Sequence, residues 1–247
     1  KFYIDGVYNN HTAFLCAPYY DDPTKTKVGV PDWTEDQFNA VIRLIDSMKL
    51  QACTHASGDA GAKRVIDSYE LAIKTNPVWD RRHRIEHATL PPTADLARMA
   101  SSGILAAMQP THLAGGPVEK YLGPDRVQLY MPWRSMINAG INVCFGSDWC
   151  AGPANPAYGL LVAATRLNYK FETNWAPEQA IPFEEALYLY TAKSAHALKM
   201  EDKIGSIKPG KRADFVIFSE DLTDILTYRH ILIKKSEMGT GLDDLVL

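Results

Sequence analysis

The sequence lacks paired cysteines, basic excess, long apolar runs and glycine-rich phosphate loops, and each lack excludes a class of protein. Its four cysteines, Cys16, Cys53, Cys144 and Cys150, form no C-x-x-C pair and have the spacing of neither a zinc ribbon nor a disulfide framework. Cys53 and Cys144 lie inside apolar runs, as reduced core cysteines do, so a cytoplasmic location is expected. A net charge of −3 over 247 residues gives no electrostatic footprint for nucleic acid. No apolar run approaches the ~18 residues of a membrane span, so no membrane partner is expected. The first residues show no charged-then-apolar leader pattern. No glycine-rich loop follows the first strand-like run, which sets aside an open-sheet nucleotide binder. Short repeats and low-complexity tracts are also missing.

What is present is ordinary globular composition, 46% hydrophobic and 22% charged, enough for one large domain or two small ones. Strand-like and helix-like segments alternate. "KFYIDG" reads as a strand entering an Asp-Gly turn, followed by a polar loop to about Pro31. In "DWTEDQFNAVIRLIDSMKL", Thr34 and Gln37 form a capping-box signature, and Phe38, Val41, Ile42 and Ile45 recur at helical spacing. Strands are expected at "QACTHA", "RHRIEHA", "ILAAMQP" and "INVCFGSDW". Helices are expected at "DAGAKRVIDSYELAIKTN", "TADLARMASSG", "PWRSMINAG", "GLLVAATRLNYK" and "PFEEALYLYTAKSAHALKM". Residues 111 to about 125 read as a glycine- and proline-rich loop, and "GKRADFVIF" as a late strand. Strands alternating with helices imply βαβ units and a parallel sheet, either in a (β/α)8 barrel or in a doubly wound fold.

The strand ends carry the chemistry. The first run starts with Lys1 and ends at Asp5. The next end at His55, at His87, at Gln109 with His112 just beyond, and at Asp148. Active sites of parallel α/β folds gather at the C-terminal ends of strands. Histidines and an aspartate from separate strands make a divalent-metal donor set. Each residue also has a plainer reading. Asp148 could cap the turn or the next helix, Gly58 of "HASGD" could supply a positive φ before a helix starting at Asp59, and Arg81, Arg82 and Arg84 could form an ion-paired face rather than an anion site. Alternation sets Glu86 on the face opposite to His87. Tyr19, Tyr20, Trp133, Trp149 and Trp175 could line an apolar pocket or pack in the core.

"THASGDAG", "HRIEHA", "MQPTH", "INVCFGSDW" and "GSIKPGKRADFVIF", in that order, resemble the amidohydrolase superfamily, and more narrowly its amidohydrolase-3 branch of N-substituted formamide deformylase-like and exoenzyme-regulatory-protein-like hydrolases. The resemblance implies a (β/α)8 metal-dependent hydrolase barrel, represented here by about five C-terminal βα units in residues 1–203, with part of a small β-sandwich and a tail in 204–247. It implies that "KFYIDG" is the fourth barrel strand, and that the first three strands, with a His-x-His pair of ligands, belong to an upstream segment of the same protein.

Carried over residue by residue, His55, His87 and Asp148 are implied metal ligands, with Asp148 also the general acid/base. Lys1 is implied as a carboxylated bridge, and Gln109 and His112 as substrate-binding residues. The implied cofactor is one or two divalent ions, zinc foremost. The implied substrate is a small molecule with an amide-type C–N bond (N-formyl, N-acyl or cyclic), hydrolysed by metal-activated water. Homo-oligomerisation is compatible with this reading. The alternative is a truncated, non-catalytic barrel fragment acting as a scaffold or partner-binding module.

Overall fold

The computed structural model describes residues 1–114, 116–167 and 175–217. Five strands, β1 (Phe2–Tyr3), β2 (Cys53–Ala56), β3 (Arg84–His87), β4 (Leu105–Met108) and β5 (Val143–Phe145), form one sheet in chain order. The pairings from β1 to β4 are parallel: Tyr3 stands opposite His55, His55 opposite Glu86, and Glu86 opposite Ala107. Ala106 donates its N–H to Asn142 O at 3.1 Å, just before β5.

By compactness the chain divides into two units. The first comprises Lys1–Met108 with Pro117–Val143. The second comprises Gln109–Gly116 with the described residues from Cys144 on.

In the first unit, helices α1 (Glu35–Ser47) and α2 (Asp59–Thr75) cover one face of the sheet. The capping box at the start of α1 is realised. Thr34 Oγ1 accepts the Gln37 N–H at 3.3 Å, and Gln37 Oε1 accepts the Thr34 N–H at 3.1 Å. Along α1, Phe38, Ile42 and Asp46 are buried at four-residue spacing, while Val41 and Ile45 are half-buried beside them. The Phe38 ring centroid is 6.3 Å from that of Phe2 on β1, and Tyr69 of α2 shares a 2.7 Å hydrogen bond with Thr54 on β2. Tyr3, Cys53, His55, Arg84 and Glu86 share the opposite face, by the register and the pleat. A sheet with helices on one face and a polar, metal-competent row on the other has the layout of a hydrolase barrel wall; a doubly wound sheet carries helices on both faces.

The N-terminal ends of these strands are held by a buried hub. The Asp46 carboxylate accepts from Arg81 Nε (2.7 Å) and Nη2 (3.2 Å), Trp79 Nε1, Asn76 Nδ2 and His83 Nε2 (2.9 Å each). The Ala52 N–H donates to His83 Nδ1 at 3.0 Å, so the proton shared with Asp46 sits on Nε2. Arg82 pairs with Asp80, and Arg84 with Glu86 at 2.5 Å. The arginine cluster is therefore an ion-paired face and not an anion site.

The other α-helices described in this unit are α3 (Leu96–Ser101), α5 (Val118–Arg126) and α6 (Trp133–Asn138). The first of the second unit is α4 (Pro110–Ala114). The stretch from 111 to 125, expected as a loop, thus contains helical turns in α4 and in α5. Its glycines and prolines punctuate short helices instead of abolishing them.

In the second unit, α7 (Pro156–Thr165) is capped by Asn155, whose Oδ1 accepts the Ala157 N–H at 2.9 Å. Ala157 to Ala163 are all buried. The expected long helix near the C-terminus is α8 (Phe183–Tyr188), a π-turn (Leu189–Lys193) and α9 (Ser194–Ala197) in succession. Ser194 Oγ donates to Phe145 O at 2.8 Å and ties this helix to β5. Residues 213–217 of the expected late strand form no strand, and Phe215, Val216 and Ile217 are exposed. A strand needs a hydrogen-bonding partner, and no described residue supplies one. The rest of the expected sandwich segment, 218–247, lies outside the described residues.

Candidate active site

His55 and His87 end adjacent strands, and their ring centroids lie 4.5 Å apart, edge to face. Register alone would separate them. His55 pairs with Glu86 and so shares its face, while His87 follows Glu86 and should point the other way. His87, however, has φ 71, in the left-handed region, and Ala88 has φ 44. Relative to a strand, that φ turns the Cβ through roughly half a revolution about N–Cα. The turn brings the His87 ring back beside His55. Non-glycine residues held this way cost about 1–3 kcal/mol each and cluster at functional sites.

The buried His55 ring is tightly framed. Its Nε2 lies 2.9 Å from Gly6 O, 3.3 Å from Ser57 Oγ and 3.7 Å from Asp5 Oδ1. A carbonyl only accepts, so Nε2 carries the proton in the contact with Gly6. The Tyr3 ring is 5.2 Å from the His55 ring. Lys1 precedes β1 and is exposed, and its Nζ is 5.5 Å from the Tyr3 ring centroid.

Asp5, missed as a site residue by sequence reasoning, is buried beneath this corner. Its Oδ1 accepts the Ser57 N–H at 2.9 Å, and its Oδ2 accepts the Phe14 and Gly58 N–H groups at 2.8 Å each. Burial pushes its carboxyl up to about 7, against the downward pull of those three donors. Its sequence signal is an Asp-Gly at a strand end, which reads equally well as a turn. Gly58 serves this corner differently from its expected role. Its φ is −79, and its value lies in lacking a Cβ, which would stand 1.9 Å from Phe14 O. Asp59 starts α2, as expected.

In the second unit, Gln109 is buried, and its carbonyl accepts the His112 N–H at 3.0 Å. His112 Nε2 lies 3.9 Å from Asp148 Oδ2. Asp148 follows β5 at φ 54, and its carbonyl accepts the N–H groups of Ala151 (2.7 Å) and Gly152 (3.3 Å). It does not cap α7, whose cap is Asn155. Of the five aromatics, Tyr19 and Trp133 are core residues and Tyr20 and Trp149 are exposed.

Each unit carries donors of the kind that a divalent ion of borderline softness takes: imidazoles on adjacent strand ends in the first, and an imidazole–carboxylate pair in the second. Comparison with known proteins agrees. The sequence profile of the amidohydrolase family, in its amidohydrolase-3 form, matches residues 1–231.

The chain belongs to the amidohydrolase family. Among its relatives, the N-substituted formamide deformylase of Arthrobacter pascens is 30% identical over 92% of this chain and 41% of its own length. The putative amidohydrolase YtcJ of Bacillus subtilis is 31% identical over 90% and 42%. Protein LONG AFTER FAR-RED 3 of Arabidopsis thaliana is 32% identical over 91% and 39%. The chain thus spans about two fifths of the length of these relatives. An uncharacterized metal-dependent hydrolase from Pyrococcus horikoshii superposes with TM-score 0.80 at 25% identity, over 90% of this chain and 44% of that one. This amidohydrolase chain therefore has the metal-dependent hydrolase fold. Among the described residues, no helix is long and apolar enough to cross a membrane.

Proposed function

We propose that this amidohydrolase chain contributes to the hydrolysis of an amide-type C–N bond (N-formyl, N-acyl or cyclic amide) in a small molecule, with zinc as the divalent ion. The observation that carries the reading is the pair of histidines on adjacent strand ends, brought ring to ring by the left-handed backbone at His87. The name of the formamide deformylase supports the substrate class.

In this reading His55 and His87 offer ring nitrogens to the ion, and Asp148 offers a carboxylate oxygen. A bound ion supplies Lewis-acid polarisation of the scissile carbonyl and acidifies water to a pKa of about 7. Asp148 takes the proton from the attacking water and delivers it to the leaving nitrogen. His112, 3.9 Å from Asp148, and Gln109 orient the substrate's polar groups. Lys1 can bridge two ions only as a carbamate, which forms from the neutral amine and carbon dioxide. The sequence contains no His-x-His pair, so the ligands named here are fewer than the resemblance implies. The division into a partial barrel (1–203) and a sandwich segment with tail (204–247) belongs to the same proposal, as does a cytoplasmic location.

The test is zinc stoichiometry by calorimetry, together with turnover of a panel of N-formyl and N-acyl amines. We expect one or two zinc ions per chain, with turnover lost in Asp148→Asn. Unchanged turnover in that variant would defeat the role given to Asp148. Zinc binding well below one per chain would favour the scaffold alternative.

A further inference from the structure

We infer that Asp5 is a positioning residue for His55, one that fixes the ring of a proposed metal ligand through the backbone around it. The inference rests on the reading of His55 as a ligand.

The carboxylate joins three pieces of chain. Asp5 itself ends the β1 run. Phe14 belongs to the long loop that follows, and Ser57 and Gly58 form the turn immediately after His55. All three of its donors are backbone N–H groups, held at 2.8–2.9 Å. Two of them lie two and three residues beyond His55, so Asp5 sets the exit path of the chain from the ligand. The residue after Asp5 supplies the carbonyl that faces His55 Nε2 at 2.9 Å, and Ser57, held through its N–H by Asp5, places its Oγ 3.3 Å from the same nitrogen. Asp5 Oδ1 itself lies 3.7 Å from it. These three contacts of Nε2 therefore come from Asp5 or from a residue that it holds or adjoins.

Two glycines keep this corner open, Gly61 for the carboxylate and Gly58 for the Phe14 backbone. A Cβ on Gly61 would stand 2.6 Å from Asp5 Oδ2, and one on Gly58 would meet the Phe14 backbone that Asp5 also binds. Ligand histidines take their orientation and tautomer from such partners, and loss of one commonly costs 10–100-fold in metal affinity.

A purely structural role would make Asp5 a second Asp46, a buried carboxylate that tidies backbone and side-chain donors. The experiment separates the two. The full chain is labelled with 15N-histidine, and the His55 ring is assigned by difference with His55→Gln. Ring nitrogen shifts of the metal-free protein are compared for wild type, Asp5→Asn, Gly61→Ala and Asp46→Asn, at a temperature where each is folded.

An amide at position 5 can no longer accept on both sides, so it releases either Ser57 or the Phe14–Gly58 pair. The expected result is a His55 ring whose two nitrogens move toward a tautomer average in Asp5→Asn, and less so in Gly61→Ala, with no change in Asp46→Asn. Zinc affinity should fall about 10–100-fold in Asp5→Asn. Should Asp5→Asn not fold, Gly61→Ala carries the test, because it displaces the carboxylate without removing it. Unchanged His55 shifts in both variants, or equal changes in Asp46→Asn, overturn the inference. If wild type takes up no zinc, it is the proposed function that fails, and the metal-free ring shifts alone decide the role of Asp5.

Discussion

Replacing Asp46 by Asn should cost this chain a large share of its stability, and the structure says how the cost arises. The carboxylate accepts five hydrogen bonds, three on Oδ1 (Arg81 Nε, Trp79, His83) and two on Oδ2 (Arg81 Nη2, Asn76). An amide in the same place keeps one acceptor oxygen and turns an NH2 toward donors. In its better orientation it retains the Oδ1 set and loses both Oδ2 bonds, while Arg81 stays 9% exposed with its carboxylate partner gone. Removing one partner of a buried ion pair costs about 3–5 kcal/mol, far more than an exposed pair is worth. In a domain of this size that lowers Tm by about 6–20 °C.

The pH dependence has a definite sign. Burial raises the Asp46 carboxyl, but the donors from Arg81, Asn76, Trp79 and His83 outweigh it and hold it below its ordinary value. A depressed folded-state pKa means that the stabilisation is present above the unfolded carboxylate value of about 4 and is lost as pH falls through the folded one. The assay is urea unfolding followed by circular dichroism from neutral pH into the acid range. A deficit of about 3–5 kcal/mol at pH 7, narrowing in acid, is expected. A deficit below about 1 kcal/mol would refute the claim that this hub holds the N-terminal ends of the strands.

Two further outcomes follow from local geometry. Thr34→Ala removes the capping box of α1 and should cost about 0.5–2 kcal/mol in the same unfolding assay, with Thr34→Ser restoring most of it; equal losses in both would show that the hydroxyl does no capping. Asp148→Gly relieves a left-handed residue whose side chain is 38% exposed, so it should stabilise by about 1 kcal/mol, and on the proposed function it should also abolish zinc-assisted hydrolysis. A destabilised variant would mean that Asp148 is held by contacts of its own, without net strain.

The residues most legible in the sequence are those whose role is fixed by local chemistry. Thr34 and Gln37 declare a helix start because a capping box needs only its own four residues. Strand ends at His55 and His87 declare themselves because each histidine stands near the end of a short strand-like run, "QACTHA" and "RHRIEHA", that gives way to a helix start or a proline-rich turn. What escapes are roles fixed by chain segments distant in sequence. Asp5 takes its meaning from donors 9, 52 and 53 residues away. Gly58 reads as a positive-φ residue, yet it is needed because Phe14 crosses it. Asp46 reads as a polar residue at a helix end until Asn76, Trp79, Arg81 and His83 fold onto it. Pleat alternation, correct through Glu86, fails one residue later, because a single left-handed φ at His87 reverses the direction of the side chain.

That failure points to a division of labour along the strands. At their N-terminal ends, the Asp46 carboxylate, Arg81, Trp79, Asn76 and His83 satisfy one another, as a site built for stability should. At the C-terminal ends of β3 and β5, His87, Ala88 and Asp148 sit in left-handed conformations that a free choice of sequence would give to glycine. Glycine would relieve the strain but could not ligate or carry a proton. On the proposed function, the strain is the cost of placing an imidazole or a carboxylate where the chain turns out of the sheet, and the well-satisfied opposite ends are what the fold can set against it. On the proposed function, stabilising substitutions should be tolerated around Asp46 without effect on zinc binding, whereas stabilising substitutions at positions 87 and 148 should each remove it. Selecting for thermal stability from libraries at both ends, then assaying zinc uptake, would separate the two kinds of position; zinc uptake retained in stabilised variants at 87 and 148 would contradict the division.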